Sequence, residues 1–317
     1  MLNNLLLYTL TSLIWGSTWY AIQFQIDDIS PLWSIVYRFS IASSLLILFC
    51  IFTQKNLKFT FKNHCTMAVQ GLLLFCLNYI FFYLGSTYLI SGTVALISAN
   101  IQFMNIINSR IIFKVPIKLS VVLSAIMGIT GLAIVFIAQM SKIYPHHAIN
   151  HTQQIIGLII CLMGTLFASW GNMASAYNQK THLPIIQSNA FGMLYGALFT
   201  LIIAVCLGQK PTISWTFPYI STLLYLAIFG SIIAFGSYLK LLGHIGPSRA
   251  AYIFVITPLI ALLISTYFEQ FQWHVITAVG IILIVFGNIL ALYKPEINLI
   301  NKDSKQKEIA KLLLKLE

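Results

Sequence analysis

Polar and aromatic side chains recur inside the longest apolar stretches of this sequence, and such residues can form a binding site for a small molecule. A side-chain amide that faces lipid is costly, so each must either bond to another helix or line a cavity. Both interpretations stay open for each residue, and we treat the set as candidate substrate-binding residues. The set comprises Trp15, Asn78, Tyr79, Tyr83, Asn100, Gln102, Trp170, Asn172, Tyr177, Ser231, Tyr238 and Tyr252.

Arg38 belongs with these candidates because it is the one ionisable side chain well inside an apolar stretch. An arginine at that depth costs a few kcal/mol at minimum on insertion scales. It either holds a substrate carboxylate or pairs with helix carbonyls, and the sequence leaves both open. No Asp or Glu lies in the middle of an apolar run, so a carboxylate proton relay is hard to build. The predicted substrate is therefore neutral, zwitterionic or anionic.

Catalytic motifs are absent from the sequence. It contains no G-x-S-x-G turn, no H-E-x-x-H pair and no phosphate-cradling loop of the Walker type,. We therefore predict a protein that is not an enzyme, that needs no cofactor and that is not driven directly by ATP hydrolysis.

Metal binding is not predicted either. His147 and His151 have the i,i+4 spacing of a helical metal pair, with His146 beside them, but no carboxylate or cysteine accompanies them,. The cysteines lie in or beside apolar runs without C-x-x-C spacing, so we interpret them as small apolar fillers. They are Cys50, Cys65, Cys76, Cys161 and Cys206.

The elements that must position the candidate residues are membrane-spanning helices. Of 317 residues 59% are hydrophobic and 8% charged, which cannot cover a soluble surface. Apolar runs of about 20 residues recur along the chain, each long enough to cross a bilayer, and they lack the alternation of a barrel. We predict ten spans, at 4–25, 31–52, 65–84, 88–112, 119–140, 155–178, 186–207, 218–241, 249–268 and 274–293.

The charge pattern predicts how these spans are oriented. A net charge of +11 can indicate nucleic-acid binding, but here the basic residues concentrate in loops after even-numbered spans. The positive-inside rule then places both termini in the cytoplasm of a cell with a cytoplasmic (inner) membrane, and no nucleic-acid partner is predicted. The lysine-rich segment 294–317 suits an amphipathic helix on the cytoplasmic leaflet, with a frayed tail as the alternative.

An internal repeat divides the chain. A shift of 155 positions lays Trp15-Gly16 on Trp170-Gly171 and Tyr83-Leu84 on Tyr238-Leu239. Five spans in each half is an odd number, so the second copy enters the membrane inverted, as in many secondary transporters. The predicted division is a first repeat at 1–140, an outer-side linker at 141–153, a second repeat at 154–293 and the cytoplasmic tail at 294–317.

The stretch from Tyr225 to Glu269 carries a family resemblance. It reads as a helix rich in small residues, a basic turn and a helix broken by proline and ending near an acid. In that order it resembles the last repeat of an EamA-type carrier of the drug/metabolite transporter superfamily. The residues that carry the resemblance are Gly246, Arg249, Ala250, Ala251, Pro258 and Glu269, with Trp15, Gly16, Ser17, Pro31 and Arg38 in the first half. The first half departs from the pattern, because the shift places Phe103 opposite Pro258 and Lys114 opposite Glu269.

This resemblance implies an all-α polytopic protein of ten helices in two inverted five-helix repeats. It implies a secondary transporter of small organic metabolites, amino acids or related compounds, with export favoured, working by alternating access around a cavity between the halves. Flexing is expected at Gly246, Pro247 and Pro258, and Glu269 is expected to be structural or gating. The partners would be a small-molecule substrate and the lipid bilayer, with the chain a monomer or homodimer.

Other functions compete with this one. The main rival is uptake or exchange of a nucleotide-type metabolite such as S-adenosylmethionine or a nucleotide sugar. An intramembrane enzyme would need paired acids, a serine/histidine set or a metal cluster, and none is visible. A non-transporting scaffold has no need for amides on several inner helices.

Overall fold

The structure is a computed structural model that describes residues 2–26, 29–114, 119–140, 150–245 and 253–292. Within these ranges the chain is built from helices joined by short loops. Two stretches have the wider π-helical turn and are named π1 and π2. In chain order the elements are α1 (Leu2–Gln23), α2 (Pro31–Phe52), α3 (Phe61–Gln70), π1 (Gly71–Leu77), α4 (Asn78–Ser86), α5 (Ser91–Ser98), α6 (Ile101–Phe113), α7 (Leu119–Met140), α8 (His151–Lys180), α9 (Ile185–Cys206), α10 (Phe217–Leu224), π2 (Tyr225–Ile233), α11 (Ala234–Ile245), α12 (Ile253–Phe268) and α13 (Val275–Leu292).

These elements form ten helical segments in the described part of the chain. The segments are ten because π1 joins α3 to α4, π2 joins α10 to α11, and α5 runs almost directly into α6. Each coincides within a few residues with a predicted span, so the predicted fold class is confirmed. Within the residues that the structure describes, six stretches are long and apolar enough to cross a membrane, and α12 and α13 are shorter apolar helices. The six are Pro31–Phe52, Phe61–Ser86, Val122–Gln139, His151–Lys180, Ile185–Cys206 and Phe217–Tyr238.

Helix starts follow local sequence signals. The Ser30 side chain accepts a hydrogen bond from the backbone N–H of Leu32, and Pro31 occupies the first turn of α2, where its missing N–H costs nothing,. At the start of α8, Asn150 and Gln153 form a capping box, each side chain accepting from the other's backbone N–H at 2.9 Å,.

The outward faces of the bundle are apolar. Ile111, Ile129 and Ile137 are 69%, 62% and 68% exposed, although isoleucine is usually buried in a soluble protein,. Faces of this kind suit contact with lipid, and the helices satisfy their own backbone hydrogen bonds there.

The fourth predicted span is broken, which the sequence analysis did not predict. Residues Ala99 and Asn100 separate α5 from α6. The Asn100 amide donates to the carbonyls of Leu96 and Ile97 at 3.2 and 3.3 Å, where backbone N–H groups of a continuing helix would otherwise bond. Such competition between an Asn side chain and the backbone weakens a helix at that point.

The repeat is visible in the backbone. Shifted by 155 positions, π1 falls on residues 226–232, which lie within π2. The last helices of the two halves, α7 and α13, pack closely on each other. A Cβ added to Gly131 would lie 2.5 Å from the Gly280 carbonyl oxygen, and one added to Gly280 would lie 2.7 Å from the Gly131 carbonyl oxygen. The two glycines therefore let the backbones of α7 and α13 approach closely,.

A polar network lies where α3 ends, α8 ends and α9 begins. The Gln70 amide donates to Asn189 at 2.9 Å, and its oxygen accepts from Asn178 at 2.8 Å and from Ser188 at 3.0 Å. We call it the Gln70 network.

A second network lies at the opposite end, where α1 ends and α2 and α10 begin. The Gln25 amide donates to the Tyr219 carbonyl at 2.9 Å and to Thr222 at 2.8 Å, and Ser34 donates to the Gln25 carbonyl at 2.9 Å. We call it the Gln25 network. The Gln25 network joins the end of the first repeat's first helix and the start of its second helix to the third helix of the second repeat. The Gln70 network joins the same three elements with the two repeats exchanged, so the two networks are related by the repeat.

Candidate functional site

Arg38 lies on α2 with its guanidinium buried between the two halves. The side chain is 2% exposed. Its Nε donates to the Ser231 hydroxyl at 3.2 Å and its Nη1 donates to the Tyr83 hydroxyl at 3.3 Å. Tyr83 belongs to the first repeat and Ser231 to π2 of the second, so one cation touches both.

Aromatic rings cover the faces of this cation. The Arg38 Cζ is 4.7 Å from the ring centroid of Tyr79 and 5.3 Å from that of Phe39, and those two rings pack edge-to-face with centroids 4.6 Å apart. Cation–π contacts of this kind stabilise a desolvated guanidinium by about 2 kcal/mol. They carry no negative charge and do not neutralise it.

No carboxylate pairs with Arg38 among the described residues. Glu269 is the one acidic residue in those ranges, and it bonds to Ser91. The third guanidinium nitrogen, Nη2, has no hydrogen-bond partner in the same part of the chain. Because an unpaired buried charge is costly, the site is electrostatically prepared for an anion.

The side chains of Trp15 and Arg38 both lie against Gly230 of π2. The indole Nε1 of Trp15 donates to the Gly230 carbonyl at 3.2 Å. A Cβ on Gly230 would lie 3.4 Å from Arg38 Nη2 and 2.9 Å from Thr18, so the guanidinium passes directly over this glycine. The Trp15 ring stacks on Phe254 at 5.6 Å and contacts Tyr238 at 5.4 Å. The structure thus brings together six predicted residues, which we call the Arg38 cluster: Trp15, Arg38, Tyr79, Tyr83, Ser231 and Tyr238.

The three predicted asparagines bond in different ways. Asn172 on α8 donates to Asn105 on α6 at 3.4 Å, which is an interhelical hydrogen bond. Asn78 instead donates to the Leu74 carbonyl of its own segment at 3.1 Å, and Asn100 donates to its own preceding turn. The side-chain oxygens of Asn78 and Asn100 are buried with no partner among the described residues. Each therefore presents a buried acceptor oxygen.

The remaining predicted binding residues lie apart from the cluster or outside the described residues. Trp170 and Tyr177 are 38% and 43% exposed, on the same face of α8 as the exposed Ile159. Gln102 is half-buried on α6. Tyr252 and the hinge residues Gly246 and Pro247 lie outside the described residues, as do His146, His147 and the tail. Their roles stay predictions.

At one end of the bundle α1, α5 and α12 pack against one another, and we call it the Glu269 end. Both carboxylate oxygens of Glu269 accept from the Ser91 backbone N–H, at 3.0 and 3.2 Å, and one also accepts from the Ser91 hydroxyl. A Cβ on Gly92 would lie 2.9 Å from Ser265 Cβ. The Tyr20 ring of α1 stacks on Phe268 at 5.1 Å. The other predicted gating residue, Pro258, is buried inside α12.

Several residues of the site were missed by the sequence analysis. Phe39, next to Arg38 in sequence, supplies a ring to the guanidinium, and Asn108 donates to Ser169 at 2.8 Å between α6 and α8. An aromatic residue beside an intramembrane arginine is a signal that could have found Phe39. The described residues contain no group of three or more His, Cys, Asp or Glu side chains arranged to hold a metal.

Ten helical spans in two inverted repeats, with a buried polar cluster between the halves, define a membrane transporter of small molecules. A model of the EamA-like transporter family matches residues 3–137 and again residues 155–293, so the chain belongs to that family. The two matches fall one in each half.

Named relatives agree with this assignment. Protein PagO of Salmonella typhimurium is 26% identical over 289 residues, covering 90% of this chain and 92% of PagO. The uncharacterized inner membrane transporter YedA of Escherichia coli is 26% identical over 304 residues, covering 92% of this chain and 94% of YedA. The uncharacterized transporter YoaV of Bacillus subtilis is 25% identical, covering 86% and 89%. A crystal structure with 15% identity matches with a TM-score of 0.64 over 90% of this chain and 95% of that one, which shows a shared fold.

Proposed function

We propose that the chain is a secondary carrier that exports small carboxylate-bearing metabolites, amino acids or related compounds, across the inner membrane with both termini in the cytoplasm. The observation that carries the proposal is the buried Arg38 guanidinium, which has no acidic partner among the described residues. The inner-membrane location is supported by the name of the relative YedA.

A carboxylate fits the free side of this guanidinium. The Nε and Nη1 donors are held by two neutral hydroxyls, and Nη2 has no hydrogen-bond partner within the described ranges. A carboxylate at Nη2 would form a charge-assisted hydrogen bond and neutralise the charge, and the planar guanidinium suits this geometry better than an ammonium would. The substrate would supply the counterion that the described residues lack.

Substrate binding here can couple to movement of the halves. Arg38 reaches Tyr83 of the first repeat and Ser231 of the second, so rocking of one repeat against the other changes its surroundings. A ligand that binds one arrangement better than the other shifts the equilibrium between them. This is the requirement for alternating access.

The test is counterflow of radiolabelled amino acids in proteoliposomes with wild type and Arg38→Gln. Losing a hydrogen bond to a charged group costs about 1.5–3 kcal/mol, so we expect counterflow to fall about 10- to 100-fold. Arg110→Gln is the matched control, because Arg110 is exposed at the end of α6 and donates to the Lys114 carbonyl. Equal activity of wild type and Arg38→Gln would contradict the proposal.

The rival substrate class is tested in the same vesicles. S-adenosylmethionine and a nucleotide sugar replace the amino acids as the labelled compound. Counterflow of one of these, with none of any amino acid, would replace the proposed substrate class by a nucleotide-type metabolite. Absence of counterflow for every class would favour a non-transporting protein.

A further inference from the structure

We propose that Arg38 and Tyr83 bind one small monovalent inorganic anion, chloride, when no substrate carboxylate is bound to the guanidinium. The inference deepens the function proposed above, because it assigns a competing ligand to the same site. It rests on that function in one respect, which is that the carboxylate of the substrate displaces the chloride. Chloride binding itself is argued from the two buried side chains.

Two buried hydrogen-bond donors of the Arg38 cluster have no acceptor among the described residues. One is Arg38 Nη2. The other is the hydroxyl hydrogen of Tyr83, whose oxygen accepts from Arg38 Nη1 at 3.3 Å and makes no second hydrogen bond within the described ranges. A guanidinium has no acceptor, so the Tyr83 hydrogen cannot be donated to Arg38. Arg38 is 2% exposed and Tyr83 is 0% exposed, so neither donor lies at the protein surface.

The unused donors lie together on one side of the guanidinium. On the other side, Ser231 accepts from Arg38 Nε at 3.2 Å and donates to the Leu226 carbonyl at 3.0 Å, so its hydroxyl is used in both directions. Nη1 and Nη2 share one carbon atom, and the Tyr83 oxygen is bonded to Nη1. A ligand of atomic size can therefore reach both Nη2 and the Tyr83 hydroxyl. Because both groups donate, that ligand must be an acceptor.

The charge of the site selects a monovalent anion. Glu269, the one acidic residue in the described ranges, bonds to Ser91 and not to Arg38. A single negative charge beside the guanidinium leaves the site neutral. A divalent anion such as sulfate would leave a net negative charge buried, and an uncompensated buried charge of either sign is costly.

The walls of the site favour a small ion. The rings of Phe39 and Tyr79 cover the faces of the guanidinium. At its edge, a Cβ on Gly230 would lie 3.4 Å from Arg38 Nη2 and 2.9 Å from a Thr18 methyl carbon, so there is little room for a bulky group at that point. These apolar walls cannot replace the water molecules of a large, strongly hydrated anion. Chloride is a single atom and requires only the few donors that the site provides.

The repeat-related position in the second half differs from this site. Shifted by 155 positions, Arg38 corresponds to Met193 and Tyr83 corresponds to Tyr238. Met193 carries no charge, and the Tyr238 ring contacts Trp15. We therefore expect each chain to bind one chloride at a site of this kind.

The test is the excess linewidth of the chloride NMR signal, which rises when free chloride exchanges with an ion bound to a slowly tumbling protein. Purified protein in detergent, without any amino acid, is titrated with sodium chloride at constant ionic strength, with sodium isethionate as the replacing salt. Wild type is compared with Arg38→Gln and Tyr83→Phe. Arg110→Gln is the matched control, because Arg110 is exposed at the end of α6.

Wild type should show an excess linewidth that saturates with chloride, and bromide should remove it whereas sulfate should not. Arg38→Gln should lose the saturable part, because the attracting charge is gone. Tyr83→Phe removes one hydrogen bond to a charged ligand, so chloride should bind about 10- to 100-fold more weakly. Arg110→Gln should behave as wild type.

A saturable linewidth that is equal in wild type and Arg38→Gln, or its absence from wild type, would overturn the proposal. Displacement by sulfate as readily as by bromide would do the same. If Arg38→Gln does not fold, Tyr83→Phe decides the question, since an unchanged chloride affinity in that variant contradicts the site.

Addition of the transported amino acid separates this inference from the proposed function. Displacement of the bound chloride would support both assignments. Chloride binding that depends on Arg38 but resists every amino acid would keep the chloride site and remove the substrate carboxylate from it. Counterflow that depends on Arg38, with no saturable chloride binding, would remove the chloride site and keep the carboxylate function.

Discussion

The junction of α2 with π2 and the junction of α9 with π1 are repeat-related, yet they are filled differently. Arg38 is the eighth residue of α2, and the eighth residue of α9 is Gly192. The 155-residue shift places Met193 opposite Arg38 instead. Gly192 and Met193, the two residues that could correspond to Arg38, are both buried and uncharged. The same backbone plan therefore holds a cation in one half and none in the other.

The surfaces that face α2 and α9 in these junctions, π2 and π1, also differ in the size of their side chains. In the α9 junction, a Cβ on Gly192 would lie 3.2 Å from the Phe75 ring, and one on Gly196 would lie 2.6 Å from Phe75 Cβ. Phe75 corresponds to Gly230 under the shift, and Gly230 lies under the Arg38 guanidinium. In both junctions a large residue packs against glycine. The large residue lies on α2 in one junction and on π1 in the other. Packing at this position requires complementary volume and does not require the charge of Arg38.

The largest expected effect comes from placing a cation in the junction of α9 with π1, which has none. Met193 is fully buried among apolar side chains that include Phe75 and Cys76. Met193→Arg would leave an uncompensated buried charge and cost about 3–5 kcal/mol. We expect little folded protein on size-exclusion chromatography after extraction, whereas Met193→Leu should cost less than about 1.5 kcal/mol. A well-folded Met193→Arg would show that the junctions are equivalent.

The two polar networks give the next largest difference. Gln70→Leu would leave Asn189, Asn178 and Ser188 without their shared partner. We expect the free energy of unfolding, measured by thermal denaturation, to fall by about 3 kcal/mol. Gln25→Leu should cost about 1 kcal/mol, because Thr222 keeps its bond to the Pro218 carbonyl,. Equal losses for the two substitutions would mean that the networks contribute alike.

The smallest effect concerns the hydroxyl that orients Arg38. Ser231 corresponds to the buried Cys76 under the 155-residue shift, so Ser231→Cys copies the other junction. Replacing a hydroxyl acceptor by a weak sulfur acceptor should cost about 1 kcal/mol of binding, or about fivefold in the KM of counterflow. An unchanged KM would show that Arg38 is positioned without Ser231.

Much of the architecture could be predicted because it follows from local chemistry. Apolar runs of membrane length predict the spans, and recurrence of Trp-Gly and Tyr-Leu at one offset predicts the duplication,. Arg38 stood out because charge is rare inside apolar runs. Its neighbours Tyr83 and Ser231, from different halves, were predicted only as separate members of a set.

What could not be predicted depends on competition between nearly equal hydrogen-bonding arrangements. The break at Asn100 requires its amide to outcompete backbone N–H groups, and the π2 turn includes a bond from Ser231 to the carbonyl five residues earlier, at 3.0 Å,. No Pro marks either place. The Gln70 network joins three separate segments, so single-segment patterns could not reveal it.

The most direct test of the central claim is the thermal stability of purified Arg38→Met, which copies the other junction, measured with and without the amino acid that wild type transports. If Arg38 serves binding, the melting temperature without ligand should be unchanged or higher, because removing an unpaired buried charge is neutral or stabilising, and the ligand-induced rise seen in wild type should be lost. A variant that melts far below wild type, or one that keeps the full ligand-induced rise, would contradict the account.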